Sequence, residues 1–138
     1  GTTDYAVEIF YEAIKHQKYT CFLKPDSKLP MIYMPDCLKA FKQLMEAPLE
    51  NLKHHTDYNL GAISFDPAEL VAEIKTHIPE FEITYEPDFR QKIADSWPKS
   101  IDDSAARSEW GWSRDYDLRA MVADMLKVLG ERHKRGEF

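Results

Sequence analysis

Apolar residues return at three- and four-residue intervals in several long stretches of this chain, and at alternate positions in short runs between them. Ala6, Phe10, Ala13 and Ile14 fall on one helical face, widened by Val7 and Ile9, and with Thr2 or Thr3 as cap they predict a helix to about His16. Cys37, Leu38, Phe41, Leu44 and Met45 predict a second helix that starts at Asp36 and runs up to Pro48. In Asp66-Pro67-Ala68-Glu69 the acid sits at the cap, proline at the first helical position and glutamate at the third, ahead of a stripe of Leu70, Val71, Ile74 and Ile78 that Pro79 closes. Ser100-Ile101-Asp102-Asp103 opens a short helix that Gly111 terminates. The clearest pattern is the last: Leu118, Met121, Val122, Met125, Leu126 and Leu129, with Gly130 as the expected stop.

Between these helices lie runs with strand character. Tyr19-Thr20-Cys21-Phe22-Leu23 is aromatic and β-branched and precedes a turn at Lys24-Pro25-Asp26-Ser27. Met31-Ile32-Tyr33-Met34 is a second strand, and Tyr58-Asn59-Leu60, ended by Gly61, a third. Phe81-Glu82-Ile83-Thr84-Tyr85 alternates with the period of a half-buried strand. Helices and strands in alternation define an α/β class, with no complete run of βαβ units.

The stretch from Asp88 to Pro98 carries more than packing. Phe89, Ile93 and Trp97 recur every four positions, and Pro98 drives Trp97 out of helical geometry, which leaves an indole beside Asp95 and Ser96 at a helix end. Such a ring can close over a small ligand or plug a core. Arg90 and Asp95, five apart, read as a surface ion pair.

Composition narrows the classes. The 138 residues are 43% hydrophobic and 30% charged, one soluble domain's worth. A net charge of −6 argues against a nucleic-acid partner. No apolar run nears the roughly 20 residues that span a bilayer, and no charged-then-apolar leader is visible, so no membrane partner is expected. Cys21 and Cys37 fit neither a C-x-x-C pair nor a disulfide framework, which points to reduced thiols in an intracellular compartment. His54 and His55 lack companions at ligand spacing, so no metal site is expected. Arg132-His133-Lys134-Arg135 reads as a solvated basic tail, dividing the chain into residues 1–130 and a frayed segment 131–138.

Three motifs occur together and in order: Gly1-Thr2-Thr3-Asp4-Tyr5-Ala6, Leu29-Pro30-Met31-Ile32-Tyr33-Met34, and the run from Phe89 to Pro98. With Glu109-Trp110-Gly111-Trp112 and Tyr116-Asp117-Leu118 they resemble the carboxy-terminal part of the L-threonine 3-dehydrogenase family, within the extended short-chain dehydrogenase/reductase superfamily. The likeness runs from Gly1 to about Leu126. It implies the substrate-side portion of a Rossmann-type fold, with the cofactor half absent. It further implies NAD-dependent oxidation of L-threonine to 2-amino-3-oxobutanoate in the full-length family, a homodimer and a mitochondrial matrix location as in animal members. Thr2, Thr3 and Trp97 match residues at that family's bound amino acid. Arg114 stands where the family more often has a proline, which should loosen the entry to the last helix.

The chemistry itself has few candidates here. The dinucleotide fingerprint needs closely spaced glycines between a strand and a helix, and the five glycines, Gly1, Gly61, Gly111, Gly130 and Gly136, are scattered. Tyr11 and Lys15 have the spacing of a short-chain dehydrogenase pair, but the family's pair precedes the motif at Gly1, so Tyr11 and Lys15 are read as a coincidence of helix spacing. Ser64, Asp66 and His77 give no arguable triad. No catalytic, cofactor-binding or metal residue is therefore assigned, and the chain alone is expected neither to bind NAD nor to oxidise threonine. A non-catalytic remnant with a binding or assembly role is the alternative. Half of a nucleotide-sugar epimerase or dehydratase is a further one, with Arg90 the sole attractive diphosphate partner. Apolar faces such as Leu70, Val71 and Ile74, or Phe89 and Ile93, are expected to pack on an absent half.

Overall fold

The structure, a computed structural model, describes residues 4–55 and 57–138. Asp4 starts the first helix, α1 (Tyr5–His16), by accepting the Ala6 N–H at 3.0 Å. The expected caps Thr2 and Thr3 lie outside the described residues. Gln17, at φ 53°, turns the chain out of α1 into β1 (Lys18–Cys21). β1 pairs in parallel with β4 (Glu82–Tyr85), Lys18 opposite Glu82 through to Cys21 opposite Tyr85. The period of two sorts this pair: Tyr19 and Cys21 are buried, while Thr20 and Thr84 join hydroxyls at 2.9 Å on the outer face. β2 (Leu29–Met31) pairs antiparallel with β3 (Ile63–Phe65).

The strand expected at Tyr58–Leu60 is not formed, and the ladder uses Ile63–Phe65 instead. Two contacts from remote parts of the chain accompany the shift. The Ile101 carbonyl lies so close to Gly61 that no Cβ fits there, and Tyr58 is held elsewhere by its hydroxyl. The second helix, α2 (Met34–Glu46), begins two residues before the expected Asp36, with proline in its first turn and Tyr33 at the cap. Asp36 is therefore free of capping duty and accepts instead from the Asp115 and Tyr116 N–H groups.

In α3 (Pro67–His77) the capping box is formed as the sequence predicts, Glu69 N–H to Asp66 at 2.8 Å and Asp66 N–H to Glu69 at 2.9 Å. Three further helices complete the chain: α4 (Arg90–Asp95), α5 (Ser104–Trp110) and α6 (Leu118–Lys134). Gly111, at φ 73°, ends α5 in the left-handed conformation that glycine alone adopts cheaply. Asp117 caps α6 through the Ala120 N–H at 2.8 Å.

Gly130 does not stop α6, which runs on to Lys134. The basic cluster supplies the last turn, where cations offset the helix dipole, and Arg132 and Arg135 both grip Glu137 at 2.7 Å. The chain then folds back so that the Phe138 ring meets Tyr11 edge-on at 4.6 Å, with Lys15 above it at 5.0 Å. Tyr11 and Lys15 thus share a packing partner.

The main core joins α1, α3 and α6 to β1 and β3 through Ile9, Phe10, Phe65, Leu70, Ile74 and Val122. Leu70, Val71 and Ile74 are inside this core, which corrects the expectation that they face an absent half. A second, smaller cluster of Ala40, Ala62, Ala106 and Trp112 joins α2 to α5. Arg114 reaches back to the Ala62 carbonyl at 2.5 Å, so it fastens the approach to α6 where looseness was expected.

Candidate functional site

A groove of about 250 Å³ opens where the three sequence motifs meet. Asp4 and Tyr5 come from the first, Leu29, Pro30 and Met31 from the second, and Arg90, Ile93, Ala94 and Trp97 from the third; Phe22 and Leu23 complete the wall. Trp97 lies beyond the end of α4 and is 57% exposed, so it is no core plug: it forms one wall of an open, mainly apolar groove.

The helix that carries this wall is short and cannot hold itself. α4 spans six residues, and Ile93 within it, Phe89 at its cap and Trp97 just past its end are all exposed. Its buried residue is Gln91. The Gln91 Oε1 accepts from the Lys24 N–H at 2.7 Å and the Ser27 hydroxyl at 3.1 Å, while its Nε2 donates to Ser27 at 2.9 Å and to Asp95 at 2.7 Å. One amide therefore staples α4 to the turn after β1 and fixes the direction in which Ile93 and Trp97 project. Sequence reading gave Gln91 no role, because a glutamine on a short helix looks like any solvated residue.

The cation in the groove is already committed. Arg90 makes a forked contact with Asp88, Nε at 2.9 and 3.0 Å and Nη2 at 2.6 Å, and its guanidinium lies 3.3 Å from the Phe22 ring centroid. Hydrogen bonds from Arg90 hold the Asp88 carboxyl below its ordinary range, against the opposing effect of burial. The expected Arg90–Asp95 pair is corrected: the nearer Asp88 takes the arginine and Gln91 takes Asp95. An arginine neutralised in this way is a poor partner for a diphosphate.

A second polar cluster gathers around Glu109, among residues that do not line the groove. Glu109 accepts from the Tyr58 hydroxyl at 2.6 Å, the Lys53 N–H at 2.7 Å, the His54 N–H at 3.1 Å and the His54 Nδ1 at 2.6 Å. Burial pushes its pKa up, but the bonds from Tyr58, His54 and Lys53 outweigh this and bring it down to about 2. His54 is thus engaged by a carboxylate, and His55 Nε2 lies 2.9 Å from the Leu52 carbonyl. Among the described residues no group of three His, Cys, Asp or Glu side chains is placed to hold a metal ion. Cys21 and Cys37 are free thiols, and no helix among the described residues is long and apolar enough to cross a membrane.

The described glycines do not fit a dinucleotide cradle. Gly111 caps a helix end, Gly130 lies within α6, Gly136 follows it, and Gly61 yields to the Ile101 carbonyl. The short β3-to-α3 junction is occupied by the Asp66 carboxylate, whose charge repels a pyrophosphate. Thr2 and Thr3 lie outside the described residues; Asp4, next in sequence, is at the groove.

This partial α/β arrangement is that of Rossmann-type, epimerase-like short-chain dehydrogenases. Within that class, the chain matches the carboxy-terminal part of L-threonine 3-dehydrogenase. It is 52% identical over 135 residues to the mitochondrial L-threonine 3-dehydrogenase of Bos taurus, covering 97% of this chain and 36% of that protein. The L-threonine dehydrogenase of Phytophthora infestans superposes with a TM-score of 0.89 at 61% identity, over 94% of this chain and 42% of the other. That of Clostridium difficile gives 0.92 at 47% identity, over 96% and 42%. The chain thus spans about two fifths or less of the length of these relatives. No family model matches the chain.

Proposed function

We propose that this chain is the substrate-side part of a threonine-dehydrogenase-like oxidoreductase whose parent reaction is the NAD-dependent oxidation of L-threonine to 2-amino-3-oxobutanoate. The observation that carries the reading is the convergence of the three motifs on one groove with Trp97 as its wall. In this reading residues 1–130 are the substrate-binding portion, Trp97 covers the amino acid, and Thr2 and Thr3 contact it.

Oxidation of a secondary alcohol needs a hydride acceptor and a base for the proton. The described glycines have other tasks, and Tyr11 and Lys15 enclose Phe138, so the reading assigns both functions to the part of the parent outside the matched segment. The chain alone is then without threonine-oxidising activity. An apolar groove bordered by Asp4 and a neutralised Arg90 suits a small amino acid better than a nucleotide sugar. A mitochondrial location, after the bovine relative's name, and a homodimeric parent belong to the same proposal.

The test is a chimaera in which this chain replaces the matched segment of the Phytophthora infestans enzyme. Trp97→Ala should cut kcat/KM for threonine by about tenfold or more while NAD affinity moves less than about twofold. Equal loss of both, or of neither, rejects a pocket role for Trp97.

A further inference from the structure

Ala94 and Trp97 form a wall with two sides. One side lines the groove, and the other lines a polar recess of about 170 Å³ between α4 and the turn after β1. Gln91, Ser27 and Asp95 line the recess and not the groove. A change in the recess therefore reaches a ligand in the groove only through the wall.

The position of that wall comes from what fastens α4, since six residues fall short of the roughly 12 that an isolated helix needs. On the groove side Arg90 lies over Phe22. On the recess side Gln91, 7% exposed, uses the whole capacity of its amide. Its Oε1 accepts twice, from the Lys24 N–H at 2.7 Å and the Ser27 hydroxyl at 3.1 Å. Its Nε2 donates twice, to the Ser27 hydroxyl at 2.9 Å and to Asp95 at 2.7 Å. Glutamate in its place has no donor and sets a second charge against Asp95; leucine leaves the Lys24 N–H without its acceptor. At about 100° per residue Ile93 points some 200° around the helix from Gln91, so holding Gln91 in the recess presents Ile93 to the groove. Trp97 moves with it, because its N–H donates to the Ala94 carbonyl at 3.1 Å and continues the last turn.

We propose that Gln91, together with Ser27, is a positioning residue that sets how closely Trp97 closes over the amino acid, and so how long a side chain the groove accepts. The inference rests on the functional reading above for the identity of the ligand. Neither residue touches that ligand; both act through α4.

The test has two arms. In the first, the chain is labelled with fluorotryptophan at its three tryptophans, and the Trp97 resonance is identified by its loss in Trp97→Phe. Gln91→Ala, Gln91→Glu and Ser27→Ala should each shift the Trp97 resonance and leave those of Trp110 and Trp112 in place, while Ser27→Thr, which keeps the hydroxyl, should leave all three in place. An unmoved Trp97 overturns the proposal, and so does an equal shift of all three, which would mark a general loosening. In the second arm, the Phytophthora infestans chimaera is offered L-threonine and 2-amino-3-hydroxypentanoate, one methylene longer. A methylene in an apolar pocket is worth about tenfold or more in kcat/KM, and Gln91→Ala should narrow the preference for threonine by about fivefold. In a Trp97→Ala background the same substitution should change that ratio by less than about twofold, because the wall it positions is gone. An equal loss of kcat/KM for both substrates, or the same narrowing with and without Trp97, overturns the proposal. Should Gln91→Ala fail to fold, Ser27→Ala takes its place with the same directions of change, since it removes two of the four bonds and keeps that to Lys24. A wild-type chimaera that does not oxidise threonine rejects the functional reading; the fluorine arm then decides alone, a moved Trp97 keeping the positioning role and an unmoved one removing it.

Discussion

The two halves of this fold are held by different forces. Around α1, α3 and α6 the contacts are apolar: Ile9, Phe10, Leu70, Ile74 and Val122 are fully buried against Phe65 and Phe81. Around α2 and α5 the cluster has three alanines and Trp112, and three buried carboxylates do the joining. Asp36 accepts the Asp115 and Tyr116 N–H groups at 2.8 and 3.1 Å, and Asp103 takes the Arg107 guanidinium at 2.6 and 3.0 Å and the Trp112 indole N–H at 3.0 Å. Glu109 gathers Lys53, His54 and Tyr58. Apolar burial is non-directional and indifferent to pH, whereas a buried carboxylate specifies one arrangement and depends on its charge. A helix tied by polar bonds from beneath can leave its long side chains outside, which is what α2 does.

The comparison breaks most visibly in the apolar half. Ile74→Ala removes three heavy atoms from a site with no exposure and should cost about 2–5 kcal/mol, read as a lower midpoint in urea with an unchanged slope. Leu70 and Val71 neighbours that collapse into the space would bring the value to the lower end.

A smaller loss is expected in the polar half. Asp36→Ala leaves two backbone N–H groups without their acceptor and should cost about 1–3 kcal/mol. Faster amide exchange at Asp115 and Tyr116, with α1 and α3 unchanged, is the signature that separates it from Ile74→Ala. Uniform loss of protection across both halves would show that they unfold as one unit.

Acid sharpens the contrast with the least perturbation. The Glu109 carboxyl is held at about 2 in the fold against an ordinary 4.5, so its stabilising contribution is fully present above about pH 4.5 and is lost as pH falls through about 2. Asp103 is depressed in the same direction, its bonds from Arg107 and Trp112 overcoming burial. Emission from Trp110 and Trp112 should therefore change within that window before near-ultraviolet signals from Tyr5 and Phe10 do. Coincident transitions, or Glu109→Gln leaving the acid profile unmoved, would place the acid sensitivity elsewhere.

The groove belongs to neither force alone. Its walls Ile93, on α4, and Trp97, just past its end, follow the position of that helix, which depends on the Gln91 amide and on Arg90 clamped by Asp88 over Phe22. Its floor is apolar and comes from β2 and the end of β1. The direction of that wall is set by three hydrogen bonds from the Gln91 amide to Lys24 and Ser27, so a change at Ser27, which does not line the groove, should move Ile93 and Trp97.

Local chemistry wrote a good part of this protein into its sequence. The Asp66–Glu69 capping box, the Gly111 stop, the stripes of α1, α3 and α6 and the alternation of β4 are decided within a few residues by hydrogen-bonding groups and side-chain spacing, and they stand where the pattern puts them. The three motifs likewise carry the likeness to the relatives, and they meet at one groove. What a stripe cannot say is what covers it. The periodicities of α2 and α3 look alike, yet Leu70 and Ile74 are inside and Leu38 and Phe41 outside, because the neighbour of each face comes from remote parts of the chain. The same reason hid the acceptors Asp36 and Glu109, whose partners lie 79 and 56 residues away, and the staple at Gln91, whose partners are 67 and 64 residues distant. It also explains Gly130, where a weak local stop yields to the ion pairs of Glu137 and the packing of Phe138 on Tyr11, contacts that exist only once α6 has found α1.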